Sequence, residues 1–321
     1  MGGLYSLVKN ENMKIYRRPR TWIMAGIMLV LVIVVAVLMK QLAPDIGDQW
    51  RGKAQKEIQQ NQQQLKDMAN APKAFTAQAK IRVQEDTARL QYALDHDISP
   101  YDTTNWDFVN GASVNIISLI SLFAVVIAGT LVAGEFSWGS IKMLLIRPHP
   151  RWSILLSKYL AAFLYIVGMF VLLFVSSWLI GGLVFGFGGL DYANLVVDNG
   201  HVVKETAIVK ALQFYGLQAI STVILMTIAF MISTIFRSNA LAIGISIFIL
   251  YIANVLALVL SQFEWAKYLI FSNLNLTYYL DHSEGMIDGV TFSFSLFIDI
   301  AYWVVFLIIT WWIFQKRDIV S

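Results

Sequence analysis

Apolar residues in this chain gather into long blocks instead of alternating with polar ones. Six blocks carry almost no charge: Thr21 to Met39, Gly111 to Gly134, Tyr159 to Phe187, Ala211 to Phe236, Asn239 to Gln262 and Thr291 to Phe314. About 20 helical residues cross the hydrocarbon core of a bilayer, so each block predicts one crossing. Period-two alternation, the signature of a membrane barrel, does not occur in these blocks, and helices are then the structure that satisfies the backbone inside lipid. The pattern predicts an all-α integral membrane protein with six transmembrane helices. The first block is as long as a full crossing, and no small-x-small cleavage pattern follows before Gln41 and Leu42, so it is expected to stay in the mature protein.

Between and before the blocks the pattern changes. Leu4, Leu7, Val8 and Ile15 fall on one side of a helix whose other side carries Lys9, Lys14 and Arg17, which predicts an interfacial helix within residues 1–20, turned into the membrane at Pro19. After the first crossing (21–41), residues 42–110 are rich in Gln, Lys, Asp and Ala. Two helices, Gln55 to Met68 and Lys73 to Asp95, are expected there, broken at Asn70-Ala71-Pro72. Their apolar stripes are thin: Ile58, Leu65 and Met68 on the first, Phe75, Ala79, Val83, Leu90 and Leu94 on the second. Such an extracytoplasmic helical insertion is expected to lean on a second copy or on other loops. The remaining crossings fill 111–315, with a tail at 316–321. Gly182 and Gly186 at the end of the third block have the spacing of a close helix contact. Leu190 to Ala207 reads as a short loop, Arg237 to Asn239 as a tight helical hairpin turn, and the aromatic stretch Phe263 to Val290 as short helices dipping into the outer leaflet.

Composition agrees: 57% hydrophobic and 14% charged residues with a mean hydropathy of +0.62 exclude a soluble globular domain of this length. The chain has no cysteine, so disulfides and thiolate metal sites play no part. If the N-terminus is cytoplasmic, the inside segments hold twelve basic residues against Glu11, Glu135 and Asp318, a balance of +9; the total of +3 then leaves −6 for the rest. That asymmetry predicts both termini inside a bacterial cytoplasmic membrane.

The densest inside feature is Gly134 to Tyr159, GEFSWGSIKMLLIRPHPRWSILLSKY. Lys142, Arg147, Arg151 and Lys158 stand against a single acid, Glu135, while Ile141, Leu144, Leu145, Ile154 and Leu155 supply an apolar side. Pro148-His149-Pro150 interrupts the helical pattern, because proline lacks an N–H and biases its predecessor away from the helical region. Two short helical pieces joined by a rigid corner are expected, with Glu135 compensated by Lys142 and the first basic residues of the segment.

Candidate chemistry is sparse. Gly47 to Ala54, GDQWRGKA, nearly matches a phosphate-binding loop, but Ala54 stands where the magnesium-binding hydroxyl belongs and a membrane crossing precedes it. No paired-His zinc spacing and no nucleophile elbow occurs, and Asp95-His96-Asp97 cannot converge on one ion from adjacent helical positions. No catalytic, cofactor-binding or metal-binding residue is assigned. Asp299 is the one carboxylate within a predicted crossing, and an intramembrane acid is by default a candidate for the translocation path or a polar intramembrane role.

The interfacial N-terminal helix, the first crossing followed by a variable outer domain, and the run Gly134-Glu135-Phe136 through Gly139-Ser140-Ile141-Lys142, Leu144-Leu145, Arg147-Pro148, Arg151 and Ser157-Lys158-Tyr159 resemble the type-2 exporter permeases of ABC transporters. The ending Phe314 to Ile319 is similar as well. The resemblance implies a permease subunit that pairs with a second one, as a homo- or heterodimer among membrane lipids, and with two copies of a separate cytoplasmic ATPase that binds ATP and magnesium. The segment 135–158 would then be the coupling helix docked on that ATPase, through Glu135, Lys142, Arg147, Pro148, His149, Pro150, Arg151, Trp152 and Lys158. The expected activity is outward movement of a drug, antimicrobial peptide or lipid-like molecule. The alternative is an ATPase-driven module that relays force or signal to an extracytoplasmic partner without transport.

Overall fold

A computed structural model describes residues 3–42, 49–69, 73–97, 99–101, 103–137, 139, 150–189, 193–198, 201–236, 238–260, 262–280, 287 and 289–316. Six helical stretches among them are long and apolar enough to cross a membrane. The first is α2 (Pro19–Leu42), preceded by α1 (Leu4–Tyr16). The insertion is a pair of helices, α3 (Trp50–Ala69) and α4 (Lys73–Asp95). The second crossing is broken: α5 (Asn105–Asn110), a 3-10 turn Ala112–Ile116, α6 (Ile117–Leu131) and α7 (Ala133–Ser137). The third is α8 (Arg151–Phe185), which begins eight residues before the apolar block. The residues after the proline corner are therefore the first two turns of the third crossing and not a separate helical piece. Then follow β1 (Ala193–Asp198), β2 (His201–Thr206), α9 (Ala207–Ile235) and α10 (Asn239–Leu260). The aromatic stretch forms 3-10 turns at Glu264–Tyr268 and Leu276–Leu280 around α11 (Ile270–Asn273), and α12 (Phe292–Lys316) closes the chain.

The chain divides into two compact units. In the first (Met1–Val32, Ser113–Ser176, Gln213–Ser321), α6 is the central helix, buried on most of its surface. Packing against α10 is close at Gly129, where an added Cβ would lie 3.6 Å from the Ile243 Cα. Hydroxyls join α6 to α9: Ser121 meets Thr222 at 2.9 Å, and Ser113 before α6 meets Tyr215 at 3.0 Å. A directed chain crosses three helices: Trp303 Nε1 donates to Tyr159, whose hydroxyl donates to Thr227, which donates to the Val223 carbonyl. Such bonds hold helices together where lipid removes the hydrophobic drive for association.

The second unit (Ile33–Ala112, Ser177–Leu212) holds the insertion. Trp50, Ala54, Ile58 and Leu90 form a small core between α3 and α4, covered by Leu94 and Tyr101. Tyr101 donates to Glu57 at 2.6 Å and lies under Lys53. Burial and the Glu57 hydrogen bond raise its pKa. The expected contacts of Phe75 and Ala79 lie outside the described side chains. The segment read as a short loop is an antiparallel hairpin of β1 and β2, and it packs on α4, which gives the thin helical pair its missing support within the same chain. The glycines at the end of α8 work differently from the expected spacing motif. Gly181 and Gly188 make room for Asn105, Trp106 and Phe108 of α5, and Gly182 accepts the Phe187 ring. Gly186, with φ of +95°, ends the helix in a conformation that other residues rarely adopt.

Candidate functional site

The one acid of the basic segment, Glu135, is placed by a break in the second crossing. Helical pairing lapses at Val132, and Ser233 Oγ of α9 accepts the freed N–H groups of Val132 and Ala133 at 3.2 and 2.9 Å. A buried backbone donor without a partner costs about 1–3 kcal/mol, so this serine holds the break open. The short α7 that follows carries Glu135 into the interior, where it is 8% exposed.

Its partners come from two other helices. Lys158, in the third turn of α8 and 2% exposed, places Nζ 2.8 Å from Glu135 Oε1 and 2.9 Å from Glu11 Oε2. Lys14 closes the figure, 2.7 Å from Glu11 Oε1 and 3.3 Å from Glu135 Oε1. The result is a ring of alternating charge, Glu11, Lys14, Glu135, Lys158, that ties α1, α7 and α8 together. Thr130, Leu131, Ile15 and Arg18 line a small cavity beside it. Burial alone would lower the Lys14 pKa, but the hydrogen bond and field of Glu11, joined by Glu135, outweigh it and leave the group above its usual value. Taking one partner from a buried pair strands the other, at about 3–5 kcal/mol.

The ring corrects the expected polarity of α1. Lys14 shares a flank with Glu11, which is 5% exposed, and the open face of α1 carries Tyr5, Lys9, Met13, Tyr16 and Arg17. Among the coupling candidates, Glu135 and Lys158 are brought together. Pro150 leads into α8 and its carbonyl accepts the Ser153 N–H at 3.0 Å. Arg151 donates to the Gln315 carbonyl at 3.1 Å, capping the end of α12, and Trp152 is 48% exposed. Lys142, Arg147, Pro148 and His149 lie outside the described residues, as does the expected contact of Lys142 with Glu135. Sequence reasoning missed Glu11 and Ser233. A signal for Glu11 existed: it is the only acid in α1, three residues before Lys14.

Asp299 is fully buried in α12, and among the described residues neither of its oxygens has a hydrogen-bond partner. One turn earlier, Ser295 donates to Asn273 Oδ1 at 2.6 Å and accepts from the Tyr279 hydroxyl at 2.7 Å. This chain of bonds uses up its protons without reaching Asp299. In the near match to a phosphate loop, Gly52, Lys53 and Ala54 lie inside α3, while Gly47 and Asp48 lie outside the described residues. Among the described residues no cluster of His, Asp and Glu has the makings of a metal site.

Comparison with known proteins decides the family. The profile of the family described as "Protein of unknown function (DUF2705)" matches residues 72–320. The chain belongs to this family. It is 36% identical over 324 residues to the uncharacterized protein YhcI of Bacillus subtilis (strain 168), covering 99% of this chain and all of the relative. It is also 30% identical over 209 residues to the uncharacterized membrane protein YdbK of the same organism, covering 64% of this chain and 80% of the relative. With six apolar helices and a relative named as a membrane protein, the DUF2705 chain is a multi-pass membrane protein. The family match takes in Glu135, Lys158 and Asp299 but begins after α3, so Glu11 and Lys14 lie outside it, within the span shared with YhcI.

Proposed function

We propose that this chain is the membrane-spanning permease subunit of an ATP-driven exporter of the type-2 ABC kind, seated in the bacterial cytoplasmic membrane with both termini inside. It works as a homo- or heterodimer with two copies of a separate ATPase, which carries the ATP and magnesium. The observation that supports this reading best is the buried ring. Glu135 and Lys158 flank the basic connection on both sides, and both are locked to α1, so a push on the connection reaches the second crossing, the third crossing and α1 together. Arg151, one residue past the proline corner, passes the same displacement to the end of the sixth crossing through Gln315. Closure of the ATPase dimer would thereby change which side of a dimer-interface cavity is open, and release an apolar or amphipathic substrate such as a drug, antimicrobial peptide or lipid-like molecule outward. Reversal of Arg147 and Arg151 to Glu together should abolish co-purification of a cytoplasmic ATPase with the solubilised protein. Undiminished recovery of the ATPase complex from that variant refutes the docking assignment.

The second reading, a module that relays force or signal to an extracytoplasmic partner, is favoured by the compact second unit, in which α3, α4 and the β-hairpin pack together. It requires the insertion for activity. Efflux retained after deletion of residues 49–97 sinks it.

A further inference from the structure

One stripe of α12 is polar over the first half of the helix. Ser295, Asp299 and Trp303 follow one another at four-residue steps, which places them on one face. Ser295 and Trp303 each belong to a hydrogen-bonded network, and Asp299 stands between the two. Neither network has a donor to spare for it. Asn273 spends both amide N–H groups on the carbonyls of Lys267 and Leu269, each at 2.8 Å, so its Oδ1 must accept, and it takes the Ser295 hydroxyl proton. Tyr279 in turn gives its proton to Ser295. On the other side Trp303 donates its indole N–H to Tyr159, whose own proton goes to Thr227. The donors one turn to either side of Asp299 are thus committed elsewhere, and the carboxyl has no accessible surface through which water could replace them.

The elements packed on α12 do not supply a cation either. α11, which has no titratable side chain, and the turn Leu276–Leu280 lie against it, and Tyr279 of that turn is within the field of Asp299. Tyr278 packs edge-on against Tyr279. The turn Glu264–Tyr268 meets α12 through Tyr268, whose ring touches Phe294 and whose carbonyl accepts the Tyr302 hydroxyl at 3.2 Å. In that turn Glu264 is exposed, and the Lys267 ammonium lies over the Tyr268 ring, 5.4 Å from its centroid. α9 and α10 meet Trp303 and Phe306 through apolar side chains. An ionised carboxylate in these surroundings is the costliest state of the group, and a proton removes the cost by cancelling the charge without needing room. A hard metal cation is a poorer fit, since it takes about six oxygens, and the Ser295 oxygen already donates one bond and accepts another.

We propose that Asp299 is a proton-binding site. With residues 270–280 closed on α12 it is held as the neutral carboxylic acid, and it exchanges its proton with water only when the bonds of Ser295 to Asn273 and Tyr279 part. On opening, the O–H bond of the carboxyl breaks, the proton passes to an entering water and the carboxylate is left solvated; closure requires the proton back. The proposal is independent of any ATPase and of the exporter reading.

The test is infrared spectroscopy of the full-length protein at pH 7 in bilayers of an ether-linked phosphatidylcholine, which has no ester carbonyl to mask the signal. A carboxyl of ordinary value, about 4, is ionised at that pH and gives no carboxylic-acid carbonyl band. Wild type should show such a band, Asp299→Asn should lack it, and Asp86→Asn, which alters an exposed acid of α4, should keep it. On transfer to heavy water the wild-type band should shift slowly, and Ser295→Ala, which removes both latching bonds, should speed that shift about tenfold or more. A wild-type spectrum with no band component that Asp299→Asn removes overturns the proton site. Exchange in wild type as fast as in Ser295→Ala overturns the latch, and this readout does not depend on the Asp299→Asn variant folding.

Discussion

Two sets of buried charge sit in the same apolar bundle and are treated in opposite ways. At the ring, two carboxylates and two ammonium groups from three helices satisfy one another. In α12, Asp299 is as deeply buried and has no partner among the described residues. The first arrangement is structural reinforcement: each helix is held by charges on the others, and withdrawal of any one member leaves the rest exposed to the cost of an unpaired ion. The second is a liability that stability alone does not justify, which is the physical content of treating an intramembrane carboxylate as functional.

The largest effect that would break this contrast is expected at Lys158. Lys158→Met leaves the buried carboxylates Glu11 and Glu135 to share Lys14 as the remaining ring cation, and it should destabilise the protein by about 3–5 kcal/mol in thermal or denaturant unfolding. A loss under about 1 kcal/mol, the range of exposed pairs, would mean that water reaches the ring and that it is not a buried network. Asp299 should respond with the opposite sign. Asp299→Leu replaces two acceptors that are unsatisfied among the described residues by an apolar side chain of the same branching and should raise stability by about 1–3 kcal/mol in the same assay, with any loss of activity then assignable to the carboxylate itself. Destabilisation by this substitution would show that Asp299 has a partner in the folded protein. The smallest effect concerns Lys14. Because the folded state holds the Lys14 proton more tightly than the unfolded state, its contribution is fully present below pH 10.5 and is lost as pH climbs through the higher folded value. A stability profile between pH 6 and 9 should therefore be flat as far as Lys14 is concerned, with Lys14→Gln superimposable in shape. A Lys14-dependent slope in that window would contradict the raised value.

The crossings were legible because hydrophobic block length is a local property. Each described span lies within a few residues of its apolar block except the third, whose helix begins at Arg151, where basic side chains had masked the helical continuity. The insertion helices were legible from the absence of Gly and Pro, but Trp50 and Ala54 of their core were not, since they lie before the first residue of the stripe that was read. The β-hairpin was missed because its short, mixed strands look like a loop until α4 is placed against them. At the candidate site, Glu135 and Lys158 stood out as charges at the edges of apolar blocks. Glu11 did not, because a lone acid in a basic helix reads as a solvated residue unless the helix is known to press that face inward.

By itself the amino-acid sequence determined the membrane class, the number of apolar helices, the position of the polar insertion and the existence of a basic, proline-broken connection after the second block. These follow from runs of neighbouring residues, and the cost of placing polar backbone or charge in hydrocarbon is paid residue by residue. The tertiary structure alone decided which charges meet. Glu11 and Lys158 are 147 positions apart and Lys14 and Glu135 are 121 apart. No periodicity connects such pairs: their encounter depends on the break at Val132, the Ser233 hydroxyl that holds it and the inward turn of α1, each of which exists only once the helices have packed.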